Sequence, residues 1–175
     1  MKDKKSFEEY YIMYANKIYG IAFRMVNNHS DALDIVQESF LRAYKNWNNF
    51  KGLSKFSTYL YRIAVNLSYD FLRKKNRIKK IENYNYENIF HNSNRKNFDD
   101  CIRCGDMIEE IKKEIDNLTE RQKTVFILKT YEELTYEEIA NILKSRVGTI
   151  KATYFQSLQK IRENLKKKGV IKNEM

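Results

Sequence analysis

The sequence predicts an all-α protein: two small helical domains joined by a flexible linker. Three observations lead there. Apolar residues recur at three- and four-residue steps along most of the chain, no segment alternates with the period of a strand, and the 175 residues include no proline to interrupt a helix. Between residues 76 and 106 the periodicity lapses and the chain becomes Asn-rich and charged, which reads as a linker. The expected domains are therefore residues 1–77 and 107–175, with 78–106 between them.

The elements follow in order. Phe7, Tyr11, Tyr14, Ile18, Ile21 and Met25 share one helical face, on a helix ending near Asn27-Asn28. Ser30 is placed to cap a second helix, with Asp31 and Asp34 near its positive end and Ala32, Val36, Phe40, Ala43 and Trp47 inward. A loop over residues 48–54 leads to a third helix, about Lys55 to Arg77, with Phe56, Leu60, Ile63, Ala64, Leu67 and Phe71 inward. Helical spacing resumes at Ile108, Ile111 and Ile115. Thr119 and Gln122 have capping-box spacing and open a helix through Val125, Phe126 and Leu128.

Residues 134–165 read as a helix-turn-helix. Thr135 and Glu138 make a second capping-box pair, and Leu134 and Ile139 are placed as a hydrophobic staple. After a break at Lys144-Ser145-Arg146, Val147, Ile150, Tyr154, Leu158, Ile161 and Leu165 build an apolar stripe. The other face presents Arg146, Thr149, Lys151, Thr153 and Gln156 near the helix N-terminus, the end that meets base edges in a major groove.

The net charge of +10 is unevenly spread. Residues 51–80 carry +8 (nine basic, one acidic), residues 81–115 carry −3 (five basic, eight acidic) and residues 116–175 carry +4 (twelve basic, eight acidic). Two basic blocks around an acidic one imply two attachment points for a polyanion. No apolar run approaches the ~20 residues that span a bilayer, and MKDKKSFEEY has no signal-peptide core, so a cytoplasmic protein without membrane insertion is expected. Cys101 and Cys104, with His91 upstream, offer at most three loosely spaced ligands where structural zinc needs four, and they read as incidental thiols. No nucleophile–base pair, phosphate-binding glycine loop or metal motif stands out, so neither an enzyme nor a cofactor is expected.

Two surfaces remain. On the third helix Tyr59, Arg62, Asn66, Tyr69 and Arg73 fall at alternating three- and four-residue steps. Aromatic rings interleaved with cations suit single-stranded or unwinding DNA, because unstacked bases lie on the rings while cations neutralise phosphates. The pattern equally fits a solvated face whose tyrosines cover the core edge. On the second helix Asp34, Gln37 and Glu38 form an acidic ridge that repels DNA and, if functional, faces a protein; compensation of the helix dipole also accounts for Asp31 and Asp34.

In this order, DALDIVQESFLRAYKNWNNF, SKFSTYLYRIAVNLSYDFLRKKNR and LTERQKTVFILKTYEELTYEEIANILKSRVGTIKATYF closely resemble regions two and four of bacterial sigma factors of the extracytoplasmic-function type. The resemblance implies an alternative sigma factor that binds core RNA polymerase and directs it to promoter DNA. Asp34, Gln37 and Glu38, with Leu41 beside them, would dock on the β′ clamp. Lys55, Tyr59, Tyr61, Arg62, Asn66, Tyr69 and Arg73, with the loop at 51–54, would melt and capture the minus-ten element. Arg146, Thr149, Lys151, Thr153 and Gln156 would read the minus-thirty-five element, and the helices around them would bind the β flap. An anti-sigma factor is a further candidate partner.

The chain departs from the family pattern at three places. Tyr59 stands where Trp is common, Lys144-Ser145 where Gly and an aliphatic residue are usual, and Thr153 where Arg is common. A left-handed Lys144 would cost about 1–2 kcal/mol. The alternative reading is a free-standing LuxR-like helix-turn-helix regulator, which leaves the acidic ridge and the aromatic-basic stripe without a role.

Overall fold

The computed structural model of the chain describes residues 6–47, 50, 55–83 and 102–171, those at 79–83 and 102–106 by backbone alone. The expectations for His91, Cys101 and the loop at 51–54 lie outside the described residues, as does the side chain of Cys104. Seven helices are described: α1 (Phe7–Val26), α2 (His29–Lys45), α3 (Phe56–Asn83), α4 (Ile102–Asp116), α5 (Glu120–Thr130), α6 (Tyr136–Leu143) and α7 (Val147–Lys167). No strand occurs among the described residues.

Local chemistry sets most of the helix ends. Ser6 and Glu9 close a reciprocal capping box at the start of α1, and Thr119 with Gln122 and Thr135 with Glu138 do the same for α5 and α6. Helix α1 stops at Asn27, which turns left-handed at φ 54° and donates its N–H to the Phe23 carbonyl at 2.8 Å. The next residue is already extended, so Asn28 rather than Ser30 caps α2: its Oδ1 accepts from the Asp31 N–H at 3.0 Å. Ser30 lies inside the first turn. Helix α3 runs past Arg77 to Asn83, which puts the basic run at Arg73–Arg77 on helix.

Helices α1–α3 pack on one another around Ile18, Ile21, Ala22, Ala32, Phe40, Leu60 and Ala64. Tyr10, not Tyr11, enters that core; its ring lies 4.4 Å from Phe56, while Tyr11 is exposed. Helices α4–α7 form the second unit. There Ile115, Leu118, Phe126, Ile161 and Leu165 make a small cluster of their own. The larger cluster is shared: Val125, Ile127, Leu128, Ile139, Ile142 and Ile150 join the core residues of α1–α3. Contacts of α3 with α6 and of α1 with α5 carry that junction.

The phase of α7 differs from the apolar stripe expected of it. Thr153 and Ser157 face inward and Leu158 faces solvent at 42% exposure. The physical reason is the close approach of α5: Ser157 Oγ donates to the Thr153 carbonyl at 2.7 Å and lies 3.4 Å from the Gln122 carbonyl of α5. A leucine at 157 would not fit there, and small hydroxyl residues satisfied by their own helix do.

Candidate nucleic-acid interface

Tyr59, Arg62, Asn66, Tyr69 and Arg73 fall on one arc of α3, and Lys55 immediately precedes the helix. Asn66 and Arg73 are exposed, and Tyr59, Arg62 and Tyr69 are half-buried. Tyr61 is not part of that arc. It lies 3% exposed, edge-on to Tyr14 with ring centroids 6.0 Å apart. Burial, and then the negative charge of Glu132, push its phenol well above the usual tyrosine range. A ring so placed has no face free for a base.

The rest of the arc is met by α5 and α6. Arg62 donates through Nη2 to the Asn141 carbonyl at 2.6 Å and through Nε to the Ile142 carbonyl at 3.3 Å. These are among the carbonyls that the end of α6 leaves unpaired, and α6 has no basic residue in its own last turn. A cation from α3 therefore supplies what α6 lacks at the negative end of its dipole. The Tyr69 hydroxyl donates to Thr124 Oγ1 at 2.8 Å, and Lys55 pairs with Glu138 at 3.3 Å. At the other side of the junction the Arg24 guanidinium lies 4.1 Å from the centre of the Tyr131 ring. Gly20 leaves that guanidinium its room, since a Cβ there would come within 2.6 Å of Arg24 Nη1.

The helix-turn-helix brings Arg146, Thr149, Lys151 and Gln156 to the exposed side of α7. Arg146 is the N-cap residue, and its side chain makes no capping bond. Thr153 is 9% exposed and its hydroxyl donates to the Thr149 carbonyl at 2.8 Å, so its donor is already used within the helix. The sequence candidates omit Ala152 and Phe155. Both lie on the outward arc, and Phe155 is 66% exposed. The signal is present in the sequence: Gly148, Ala152 and Phe155 are spaced as neighbours on one helical face. Lys144 takes the left-handed conformation, φ 48° and ψ 51°, and its N–H reaches the Ala140 carbonyl as a C-cap.

On α2, Asp34, Gln37 and Leu41 are exposed, whereas Glu38 is half-buried and bound to Arg42 at 2.6 Å. The ridge is thus less acidic than its sequence implies. Leu33 and Tyr44, also outside the sequence candidates, are exposed with Gln37 and Leu41 at steps of four, four and three, which makes the ridge an amphipathic surface.

A basic, ring-bearing helix and a helix-turn-helix on one chain define a class: a helical protein with two candidate surfaces for nucleic acid. Similarity to known proteins narrows the class. Residues 10–78 match the family model Sigma-70 region 2, and residues 108–161 match Sigma-70, region 4. The ECF RNA polymerase sigma factor SigW of Bacillus subtilis is 33% identical over 174 residues, covering 94% of this chain and 91% of that protein. The ECF RNA polymerase sigma-E factor of Haemophilus influenzae is 33% identical over 169 residues, covering 93% and 89%. Among solved structures, the sigma factor RpoE in complex with the anti-sigma factor NepR from Bartonella quintana shares the fold at a TM-score of 0.70 and 22% identity, covering 91% of this chain and 96% of that one. CnrH in complex with the cytosolic domain of CnrY does so at 0.68 and 16%, covering 94% and 90%. The chain belongs to the ECF sigma factors of the sigma-70 family.

Proposed function

We propose that this protein is an alternative sigma factor that binds core RNA polymerase and places it at promoters with paired elements. The observation that carries the reading is the coexistence, in family order, of three surfaces: the amphipathic ridge of α2, the aromatic-basic arc of α3 and the helix-turn-helix of α6–α7. The free-standing regulator accounts only for the third. In this reading residues 1–77 and 107–175 are the two working units and 78–106 connects them. Asp34, Gln37, Glu38 and Leu41 meet the β′ clamp, with Leu33 and Tyr44 adding apolar area, and the second unit meets the β flap.

Tyr59, Asn66 and Tyr69 take unstacked bases of the minus-ten strand, and Lys55, Arg62 and Arg73 take its phosphates. Arg146, Thr149, Lys151 and Gln156 face the minus-thirty-five duplex. The chain contributes binding energy and strand capture, the polymerase supplies the chemistry, and both act in the cytoplasm. No helix among the described residues is long and apolar enough to cross a membrane.

In the conformation described, α6 covers Arg62, and α5 holds Tyr69. Capture of single-stranded DNA on α3 therefore requires the two units to part. An anti-sigma factor is a fitting partner for the closed arrangement, since two solved structures of this fold are complexes, one with an anti-sigma factor and one with the cytosolic domain of CnrY.

The deciding experiment is transcription in vitro by core polymerase with and without this chain. Promoter-specific transcripts that depend on the chain are expected; a chain that binds palindromic duplex as a dimer and leaves core polymerase unchanged would point to the regulator instead. Charge reversal at Asp34 and Glu38 should weaken capture of core polymerase, and wild-type capture would remove that surface from the assignment.

A further inference from the structure

The turn between α5 and α6 presses one carboxylate against the first unit. Glu133 is left-handed there, at φ 54°, and the Leu134 N–H closes the turn on the Leu128 carbonyl at 3.2 Å. Glu132 is thereby aimed at α1, where its Oε1 lies 3.8 Å from the point a Cβ on Gly20 would occupy. Its side chain is half-buried, yet among the described residues its carboxylate accepts no hydrogen bond and meets no cation within 4.0 Å. Charges on every neighbouring element are engaged elsewhere or stand further off. On α1, Lys17 lies over the Tyr14 ring at 5.8 Å and Arg24 over Tyr131 at 4.1 Å. On α3 the nearby group is the buried phenol of Tyr61, which stays neutral. On α4, Glu109 and Lys112 line the same cleft with Lys113 and Asp116, and the last two are paired with Glu110 and Lys123. On α6, Glu138 is held by Lys55 and the Thr135 N–H. Burial therefore dominates: it raises the Glu132 carboxyl above its ordinary 4.5, and Arg24 and then Lys17 offset only part of that.

We propose that Glu132 is a proton-sensitive latch between the two units: as a carboxylate it favours their parting, and as a neutral acid it favours the closed arrangement that covers α3. When the units part, α1 and α3 leave the turn and the carboxylate returns to water, so closing takes up a proton. Glu132 holds its proton more tightly in the closed form, so the advantage of closing is fully present below 4.5. It is lost as pH rises through the raised value. Glu138 acts in the opposite sense and in a lower window. Its carboxyl is lowered, first by the Thr135 N–H of its own capping box and more weakly by Lys55, so acid loosens its pairing with Lys55 only below 4.5.

The regulatory meaning of the latch rests on the reading that α3 captures single strands, and the test separates the two. Small-angle X-ray scattering of the full chain, without DNA or polymerase, is followed from pH 8 to pH 5. The wild type should become more compact as pH falls, its closed-to-parted ratio rising by up to about tenfold for each unit of pH crossed. Glu132→Gln keeps the shape of the side chain without its charge, and should be as compact at pH 8 as the wild type is at pH 5. Lys17→Met, at an exposed position, removes a cation that favours the carboxylate and should move the wild-type transition to higher pH. A wild type that does not respond to pH would overturn the latch. So would an equal response in Glu132→Gln, which would assign the effect to another group such as His29, or a transition that Lys17→Met leaves in place. Failure of the functional reading would instead show as no promoter-specific transcription with core polymerase, while scattering from the free chain still tests the latch.

Discussion

The Arg62 guanidinium of α3 donates to the Asn141 carbonyl at the C-terminal end of α6, 2.6 Å away and 79 residues along the chain. In the proposed function the same side chain also serves a phosphate, and the two purposes compete. While it caps α6, its Nε and Nη2 donors are spent on that helix, and in turning to nucleic acid it would leave those carbonyls without it. The state of this pair reports whether the two units are together or apart.

Weakening the junction away from both nucleic-acid surfaces should favour the parted form. Thr124→Val removes the acceptor of the Tyr69 hydroxyl, a hydrogen bond worth about 0.5–1.5 kcal/mol net. Tyr131→Ala removes the ring beneath Arg24, worth about 0.5–1 kcal/mol. The double variant should show a larger radius of gyration by small-angle X-ray scattering and tighter binding of a single-stranded minus-ten oligonucleotide, by roughly tenfold if the two losses add. Scattering and affinity that both match the wild type would mean that the junction does not limit access to α3.

Lys144→Gly should stabilise the protein. Lysine at φ 48° carries a left-handed cost of about 1–2 kcal/mol, and glycine returns part of the gain as chain entropy, about 0.5–1 kcal/mol. A rise of about 1 kcal/mol in urea unfolding is expected. A fall would show that the Lys144 side chain makes an interaction that outweighs its backbone strain.

The phase of α7 is open to a paired test. Ser157→Leu overfills the space against the α5 backbone and should cost about 1–3 kcal/mol. The neighbouring Leu158→Gln, on the exposed side, should change stability by about 0.5 kcal/mol or less. The reverse ranking in thermal unfolding would restore the apolar stripe with Leu158 inward.

Acid should loosen α4 from α7. Hydrogen bonds from Lys113 and then Lys168 lower the Glu110 carboxyl from 4.5 to about 2, and Lys168 followed by Asn164 lowers that of Glu114. Carboxyls depressed in the folded state contribute fully above their unfolded value and lose that contribution as pH falls through the folded one. Lys168→Met removes the shared cation, which stands 2.8 Å from Glu110 and 2.6 Å from Glu114. The difference in melting temperature between wild type and Lys168→Met should therefore be constant above about pH 5 and shrink towards pH 2. A difference that holds across that window would assign the effect of Lys168 to packing.

Much of the candidate site is legible in the sequence because its signals are local. The spacing of Tyr59, Arg62, Asn66, Tyr69 and Arg73 needs only the helical repeat to place them on one arc, and the boxes at Thr119 and Thr135 need only three residues of separation. Ser30 misleads as a cap because the left-handed turn at Asn27 moves the helix start by two residues. Phe155 and Ala152 escape a search for hydrogen-bond donors, although apolar side chains also read base edges.

By itself, the sequence determined the seven-helix order, the capping boxes that open α5 and α6, the two basic blocks and the family, all of which follow from patterns within a few turns of chain. Tertiary structure decided the rest. It sent Tyr61 into the core, chose Thr153 and Ser157 over Leu158 for the inner face of α7, joined Lys129 to Lys151 across one ring, and set Arg62 against the end of α6. The reason is common to all four: each depends on which surface of another helix comes close, and helical periodicity specifies directions around one axis only.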